Sequence, residues 1–222
     1  MALRSEAAET YAAAMTDPIL TYLEGRGITA HAASTAGLGV VTEPLTGHER
    51  WRGWICIPYL TRAGVAALKF RRPPEMADGQ RYDQPAGQVM GLFNVNDFHK
   101  PSPFICVTEG ELDAVVASHV VGLPTVGVPG VSHWKSHFPR CFDGYSRVYV
   151  LADADNREDG RDPGLELSQR ICETVVQAVH VSLPRGLDVS DLVAQRGANA
   201  LLALIPEKGV SRLLEEPECP PF

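Results

Sequence analysis

Carboxylates gather at three places in the second half of the chain, each directly after an apolar run that is typical of a buried strand. The clusters are Glu109-Gly110-Glu111-Leu112-Asp113, Asp153-Ala154-Asp155 and Asp188-Val189-Ser190-Asp191. Because the carboxyl ends of parallel strands meet at one edge of a sheet, side chains that follow such strands can converge there. Carboxylate oxygens are ligands that Mg²⁺ prefers, and Mg²⁺ commonly serves chemistry on phosphates. The clusters therefore predict a Mg²⁺ site that acts on phosphate groups.

The first and third clusters also have an explanation that needs no metal. Glu111 and Asp113 open a predicted helix, where acidic side chains complement the helix dipole. Asp188 or Ser190 can cap the following helix, and Asp191 would add to its dipole. We favour the dipole role for Glu111, whereas Asp113, Asp188 and Asp191 stay open between the two roles.

Glu109, Asp153 and Asp155 are the stronger candidates for chemistry. Glu109 lies at the junction of a predicted strand and a helix, where a side chain stands above the sheet edge. Asp153 and Asp155 are two residues apart in an extended segment, so both can face one cation. A loop that uses these aspartates to make turns is the alternative. The acidic β-α unit that precedes them favours the metal interpretation.

Three short helices and an antiparallel hairpin are predicted before residue 101. The helices are expected at residues 5–15, in a segment opened by Asp17-Pro18, and at residues 28–37. The two strands of the hairpin are expected at residues 54–60 and 65–70. Residues 71–88 are rich in Pro, Gly and charge, which predicts a loop.

An alternation of strands and helices follows residue 101. A continuous apolar run, which is typical of a parallel strand buried on both faces, occurs at residues 104–108, and three further strands are predicted at residues 125–128, 147–152 and 179–183. Helices are predicted at residues 112–121, 165–178, 189–195 and 198–205. The fold class is therefore α/β. We expect a small N-terminal α+β subdomain at residues 1–100, a Rossmann-like domain with a mainly parallel four-stranded sheet at residues 101–206, and an acidic, Pro-rich tail at residues 207–222.

Composition and charge exclude several classes of protein. The net charge of −7 argues against a dedicated nucleic-acid-coating protein, which is usually basic. The five cysteines are widely spaced and form no C-x-x-C, which argues against a zinc site and a disulfide framework. The sequence contains neither a long apolar span nor a signal peptide. We therefore expect a cytoplasmic protein with no membrane contact.

The acidic segments resemble a TOPRIM domain, the metal-binding module shared by topoisomerases and DnaG-type primases. In that family the Glu of an E-G-x-x-D segment, a later D-x-D and a further Asp after the fourth strand surround the catalytic metals. The matching residues here are Glu109 with Gly110 and Asp113, Asp153 with Asp155, and Asp188. The resemblance implies that Glu109, Asp153 and Asp155 are catalytic and that, with Asp188, they hold Mg²⁺, for which Mn²⁺ can substitute. Asp113 and Asp191 are secondary candidates.

The first half of the chain resembles the catalytic core of bacterial DnaG-type primases, in a phage- or plasmid-like minimal version. The segment from Tyr22 to Ile28 is similar to the family's Y-L-x-x-R-G-I/L, and Met90-Gly91-Leu92-Phe93 is similar to its Y-G-L. The family's basic residue shortly before Y-G-L is missing, because Pro85-Ala86-Gly87-Gln88-Val89 occupies that stretch. The resemblance implies that a set of basic residues binds nucleotide or DNA: Lys69, Arg71, Arg72, Arg81 and Lys135. Lys135 is a candidate to compensate for the missing basic residue.

The resemblance implies a DNA primase, a nucleotidyltransferase that makes short RNA primers on single-stranded DNA during replication. Its substrates would be ribonucleoside triphosphates, and its cofactor Mg²⁺. The sequence shows neither the zinc-binding module nor the helicase-docking module of DnaG-type primases, so we expect no zinc here and a replicative helicase or a separate zinc-binding subunit as partner. Two alternatives remain: a TOPRIM nuclease that uses the same acids, and a non-catalytic module that binds the replisome or inhibits a primase.

Overall fold

A small antiparallel sheet with three helices forms the first half of the protein. The computed structural model describes residues 2–76, 79–152 and 162–206. Its first helices and strands are α1 Ala2–Ala13, α2 Asp17–Gly25, α3 Ala30–Thr35, β1 Gly39–Val40, β2 Ile55–Thr61, β3 Gly64–Arg71 and β4 Tyr82–Asp83. The strands pair in the order β1-β2-β3-β4, all antiparallel. The predicted hairpin is therefore present as β2 and β3, with Gly64 opening the second strand.

Strand β4 lies inside the segment for which the sequence predicts a loop. Only two residues form it, and they pair with the end of β3, Phe70 with Asp83 and Arg71 with Tyr82. Asp83 also accepts a hydrogen bond from the indole nitrogen of Trp51 at 2.8 Å. A strand this short has no detectable alternation of apolar residues, so its formation depends on these contacts with residues distant in sequence. The loop prediction for residues 71–88 is wrong at this point.

A parallel four-stranded sheet forms the second half and confirms the predicted fold class. The elements are β5 Phe104–Thr108, α4 Glu111–Val115, β6 Thr125–Gly127, β7 Arg147–Ala152, α5 Pro163–Thr174, β8 Ala178–Ser182, α6 Val189–Arg196 and α7 Ala198–Leu202. The strand order is β6-β5-β7-β8, with every neighbouring pair parallel. All five residues of β5 are buried, as expected for a central strand that is covered on both faces.

Helix α4 is shorter than the sequence predicts, because a π-helical turn replaces its second half. The turn spans Val116–Val120, and the amide of Val121 bonds to the carbonyl of Val116, five residues earlier. The turn contains two β-branched residues, Val116 and Val120, and such residues have a slightly lower helix propensity than unbranched ones. The predicted helix at residues 112–121 is therefore observed with a change of helical type after Val115.

The largest hydrophobic core extends across both sheets. It contains Ile19 and Leu23 of α2, Ile57 of β2, and Leu112 and Leu192 of the second half. The two halves therefore pack on each other directly, which fixes the space between them. Within the described residues, none of the helices combines the length and the apolar character needed to span a bilayer.

Gly39 sets how closely α1 packs on β1. A β-carbon built at Gly39 would lie 2.2 Å from the carbonyl carbon of Tyr11 and 2.4 Å from the amide nitrogen of Ala12. Gly39→Ala must therefore push α1 away from the sheet, and we expect it to lower the free energy of unfolding by about 3 kcal/mol. Urea denaturation followed by circular dichroism would measure the change.

The matched control for that substitution is Gly25→Ala. A β-carbon at Gly25 would meet nothing within 4 Å, so this change is expected to be neutral or slightly stabilising. Equal unfolding energies for both variants would contradict the proposed clash between Gly39 and α1.

Candidate active site

A cleft of about 500 Å³ lies where the carboxyl edge of the parallel sheet faces β3 and β4 of the antiparallel sheet. The parallel half contributes four acidic residues to its lining: Glu109, Glu111, Asp113 and Asp188. The other half contributes four basic residues: Arg26, Lys69, Arg71 and Arg81. The cleft therefore brings opposite charges from the two halves of the chain close together.

Glu109 occupies the short link between β5 and α4. Gly110 follows it as the N-cap residue of α4, in extended backbone geometry, and the Thr108 hydroxyl donates to the Gly110 carbonyl at 2.9 Å. Gly127 at the end of β6 packs against this link, since a β-carbon there would lie 2.9 Å from the Gly110 oxygen. The close approach of two strand ends holds Glu109, which is half-buried, at the wall of the cleft.

Asp113 connects α4 to α6. Its Oδ1 accepts hydrogen bonds from the Ser190 amide at 3.0 Å and from the Ser190 hydroxyl at 2.6 Å. Burial, and then the negative charge of Asp188, raise the pKa of Asp113 to about 6, although the Ser190 bonds and Arg26 oppose this rise. The Asp113 and Asp188 carboxylates are therefore near enough to repel each other inside the cleft.

Asp188 is the N-cap of α6. Its Oδ1 accepts a 2.6 Å hydrogen bond from the Asp191 amide, and its Oδ2 accepts one from Nη2 of Arg26, also at 2.6 Å. Arg26 lies 3.8 Å from Asp191 as well. Burial alone would lower the pKa of Arg26, but Asp188 and Asp113 raise it above its ordinary value. The capping role of Asp188 is thus observed, while metal binding by Asp188 stays a prediction.

Two substitutions at Asp188 separate its cap from its ion pair. Asp188→Asn keeps an N-cap side chain and loses the charge opposite Arg26, so we expect it to cost about 1 kcal/mol of unfolding free energy. Asp188→Ala loses both interactions and is expected to cost about 2 kcal/mol. Guanidinium denaturation would measure both. Equal costs would show that the cap contributes nothing.

Lys69, Glu111 and Tyr59 form a buried network on the floor of the cleft. Nζ of Lys69 lies 2.6 Å from Oε1 of Glu111 and donates to the Pro129 carbonyl at 3.0 Å. The Tyr59 hydroxyl donates to the same Glu111 oxygen at 2.5 Å. Burial and then Glu111 raise the pKa of Tyr59, so it stays a neutral donor. The network joins β2 and β3 to α4 and to the loop after β6.

Arg71 is held between two tyrosines. Its Nε and Nη2 donate to the Tyr22 hydroxyl at 3.1 and 2.5 Å, and its Nη1 donates to the Tyr82 hydroxyl. The guanidinium carbon also lies 5.1 Å from the centre of the Tyr82 ring. Burial raises the pKa of Tyr82 to about 12, although Arg71 opposes the rise. The guanidinium is thus fixed by neutral oxygens and ring faces.

The remaining predicted basic residues have separate positions. Arg81 is exposed and lines the cleft, with its guanidinium 5.7 Å from the Tyr82 ring centre. Arg72 does not line the cleft, and it donates to the Gly79 carbonyl at 2.6 Å. Lys135 likewise lies outside the lining, because its amine donates to the Met90 carbonyl at 2.5 Å.

Glu111 and Arg26 are charged residues of the cleft that the sequence alone does not identify as part of the site. Glu111 is only 1% exposed, although its place in a first helical turn suggested a dipole role. Arg26 belongs to the segment that resembles Y-L-x-x-R-G-I/L, and this resemblance is the sequence feature that could have indicated a role for Arg26 in the site. Both have their charged partners far away in the sequence, Lys69 for Glu111 and Asp188 for Arg26.

The carboxylates fit Mg²⁺ in kind, because they supply hard oxygen donors that already repel each other. In residues 2–76, 79–152 and 162–206, no group of three or more potential ligands is placed to hold one ion. Asp153 and Asp155, the predicted D-x-D pair, lie outside the described residues. A complete site therefore needs ligands beyond Glu109, Asp113 and Asp188.

Comparisons with known proteins give three results. Residues 104–199 match the Toprim domain family. The Gene 57 protein of Mycobacterium phage D29 is 37% identical over 161 residues, which cover 70% of this chain and 99% of that protein. Two primase structures have a similar fold. One is the RNA polymerase domain of Mycobacterium tuberculosis primase DnaG in complex with double-stranded DNA (TM-score 0.71, 23% identity, 92% of this chain and 78% of that one).

The second structure is the Aquifex aeolicus primase with its zinc-binding and RNA polymerase domains. It has a TM-score of 0.68 and 18% identity, and the match covers 90% of this chain. The chain spans only 59% of that primase chain. At these identities the two structures establish a shared fold.

Proposed function

We propose that this protein makes RNA primers. The chain belongs to the family of the Gene 57 protein of Mycobacterium phage D29, carries a Toprim domain and has the fold of a DnaG-type primase core. The reaction would join ribonucleotides on a single-stranded DNA template. One observation carries the proposal: a single cleft sets carboxylates at the edge of a parallel sheet opposite cations of the other half. Phosphoryl transfer needs both kinds of charge, since it depends on positioning and on electrostatic stabilisation.

The acidic residues would hold the metal. We assign this role to Glu109, Asp153, Asp155 and Asp188, with Mg²⁺ as the ion and Mn²⁺ as a substitute. When bound, the ion supplies positive charge that stabilises the phosphates of the incoming nucleotide. Glu109, at the junction of β5 and α4, would also assist the attacking 3′-hydroxyl.

The basic residues would bind phosphate groups. Arg71 and Arg81 line the cleft beside Tyr82 and would contact the nucleotide or the template. Arg72 and Lys135 would act on DNA outside the cleft, because neither lines it. Lys69 faces Glu111, so we assign it to the alignment of the two halves of the cleft rather than to phosphate.

The partners follow from the proposed reaction. The template would be single-stranded DNA, and the substrates would be ribonucleoside triphosphates. A replicative helicase or a separate zinc-binding subunit would assist template selection, since the sequence contains no C-x-x-C. This work would take place in the cytoplasm, where replication occurs.

A primer-synthesis assay tests the proposal. The protein is incubated with a single-stranded DNA template, labelled ribonucleoside triphosphates and Mg²⁺ or Mn²⁺, and the products are separated on a denaturing gel. Short labelled RNA that disappears on addition of EDTA would support the proposal. Breakdown of the template would indicate a nuclease instead, and the absence of both products would contradict an enzymatic role for this chain.

A second candidate function is a non-catalytic module that binds the replisome or inhibits a primase. The pairing of two of the four basic residues of the cleft favours this binding role, because Lys69 and Arg26 already form ion pairs with Glu111 and Asp188. Internal pairing of this kind reduces the positive charge available to nucleic acid. Tight binding of a primase or helicase together with a negative primer assay would support this candidate.

A further inference from the structure

We propose that β8, the edge strand of the parallel sheet, pairs antiparallel with β8 of a second copy of this protein across a two-fold axis. Each His180 would then lie opposite His180 of the second copy, and the two four-stranded sheets would join into one continuous sheet. The contact lies outside the cleft, because none of the residues that line the cleft belongs to β8. The inference therefore goes beyond the proposed function and does not depend on it.

The first argument is that the other strand edges are short or covered. The antiparallel sheet ends in β1 and β4, which have two residues each. At the outer edge of β6, Thr125 bonds to the side chains of Asp97 and Asn94, and Gly127 exchanges both backbone bonds with Phe93. Short strands and covered edges are the usual means by which proteins prevent pairing with another chain. Strand β8 has five residues, and within residues 2–76, 79–152 and 162–206 it pairs only with β7.

The second argument is the direction of the backbone groups in β8. The amide of Val148 in β7 donates to the carbonyl of Gln177 at 3.1 Å. Backbone groups alternate in direction along a strand, so this bond and the regular register between β7 and β8 fix which groups point away from β7. The residues whose backbone groups point outward are Ala178, His180 and Ser182.

The third argument is that this outward edge is complementary to itself. The strand reads Ala-Val-His-Val-Ser, which is nearly symmetric about His180. In an antiparallel pair, His180 can exchange both backbone bonds with His180 of the second copy. The Ser182 amide would donate to the Ala178 carbonyl of the second copy. The same surface patch would thus serve on both copies, as a two-fold interface requires.

The side chains of β8 suit such a pair on both faces of the sheet. Val181 is buried in the core, whereas Val179 is only partly buried against it, and a valine of the second copy would lie opposite each of them. Cross-strand pairs of β-branched residues stabilise a sheet. The strand carries no charge, no proline and no bulge, which are further features that prevent pairing at an edge.

Helix α5 leaves the edge accessible. The imidazole of His180 lies against the helix, with Nδ1 2.8 Å from the hydroxyl oxygen of the buried Ser168. His180 and Ser182 are nevertheless exposed, so α5 does not extend over the outer side of the strand. In the proposed dimer the two side chains at position 180 would face each other, with their Cα atoms about 5.5 Å apart.

Sedimentation equilibrium of the full chain tests the proposal with two variants of opposite charge. We expect the wild type to form a weak dimer whose population rises with protein concentration. His180→Lys and His180→Glu each place like charges opposite each other, and each should weaken the dimer by about tenfold. An equimolar mixture of the two variants places lysine opposite glutamate and should restore association.

His31→Lys is the matched control, because it makes the same change at an exposed residue of α3 and should leave association unchanged. Both variants at position 180 lose the bond to Ser168, so thermal unfolding of each variant alone checks that it folds. Restored association in the mixture gives the same information independently, since both chains must be folded to pair.

A wild type that stays monomeric up to about 300 µM would overturn the inference, and β8 would then be an edge for an extended segment of a different protein. Undiminished association of His180→Lys would overturn it as well, because the dimer would use another surface. A mixture as monomeric as the single variants would show that the two residues at position 180 do not face each other. None of these outcomes depends on primer synthesis.

Discussion

Lys69→Met is expected to lower the free energy of unfolding by about 3–5 kcal/mol, because it leaves the Glu111 carboxylate buried without its cation. The pair is strongly desolvated, with the Lys69 side chain 10% exposed and the Glu111 side chain 1% exposed. Methionine has nearly the shape of lysine, so the lost packing is small and the measured cost reports mainly on the charge. Urea denaturation monitored by circular dichroism would give the value.

The double variant Lys69→Met with Glu111→Gln tests whether the cost of the single variant comes from the unpaired charge of Glu111. It removes both charges, and the new glutamine can still accept the hydrogen bond from Tyr59. We expect most of the stability to return, since a buried pair is costly to break and often neutral to remove as a whole. A double variant as unstable as Lys69→Met would contradict this account, as would a loss below about 1 kcal/mol in the single variant.

This pair illustrates which features of the site the sequence could not predict. The position of Glu111 in a first helical turn predicts a role in the helix dipole, because its partner, Lys69, is 42 residues away in sequence and leaves no local signal. Arg26 meets Asp188 across 162 residues. Local sequence patterns indicate helix caps and strands, but they do not indicate which charged residues face each other after the two halves of the chain pack together. The ion pairs of the cleft were therefore outside the reach of periodicity and spacing.

Strands with strong local signals were predicted well. The run Phe104–Thr108 is apolar at four of its five positions and buried throughout, because a central parallel strand is covered on both faces. Strand β4 had no such signal, and Tyr82 reaches the cleft only through pairing with Arg71. Lys135, which is predicted to bind nucleotide or DNA, lies outside the cleft lining, and its amine donates to the Met90 carbonyl. The sequence predicts the strand ends that are followed by acidic residues. Which basic residues face those acids depends on tertiary contacts.

Glu109→Gln should lower the rate of primer synthesis by about 10²–10⁴-fold while leaving thermal unfolding unchanged. Glutamine has the size of glutamate but carries no charge and cannot accept a proton at neutral pH. Glu109 lies in the link between β5 and α4, on the wall of the cleft, where a lost carboxylate would affect the reacting groups more than the core. Primer yield over time, measured with saturating nucleotide, would give the ratio.

Glu173→Gln is the control for that experiment, because Glu173 is an exposed residue of α5 outside the cleft. It removes the same charge and should leave the rate unchanged. If Glu109→Gln lost activity and stability together, its carboxylate would be a structural group of the β5–α4 link. If it lost neither, the acids at this sheet edge would not take part in the chemistry. Only a rate loss in a fully folded variant places the reaction at the carboxyl edge of the parallel sheet.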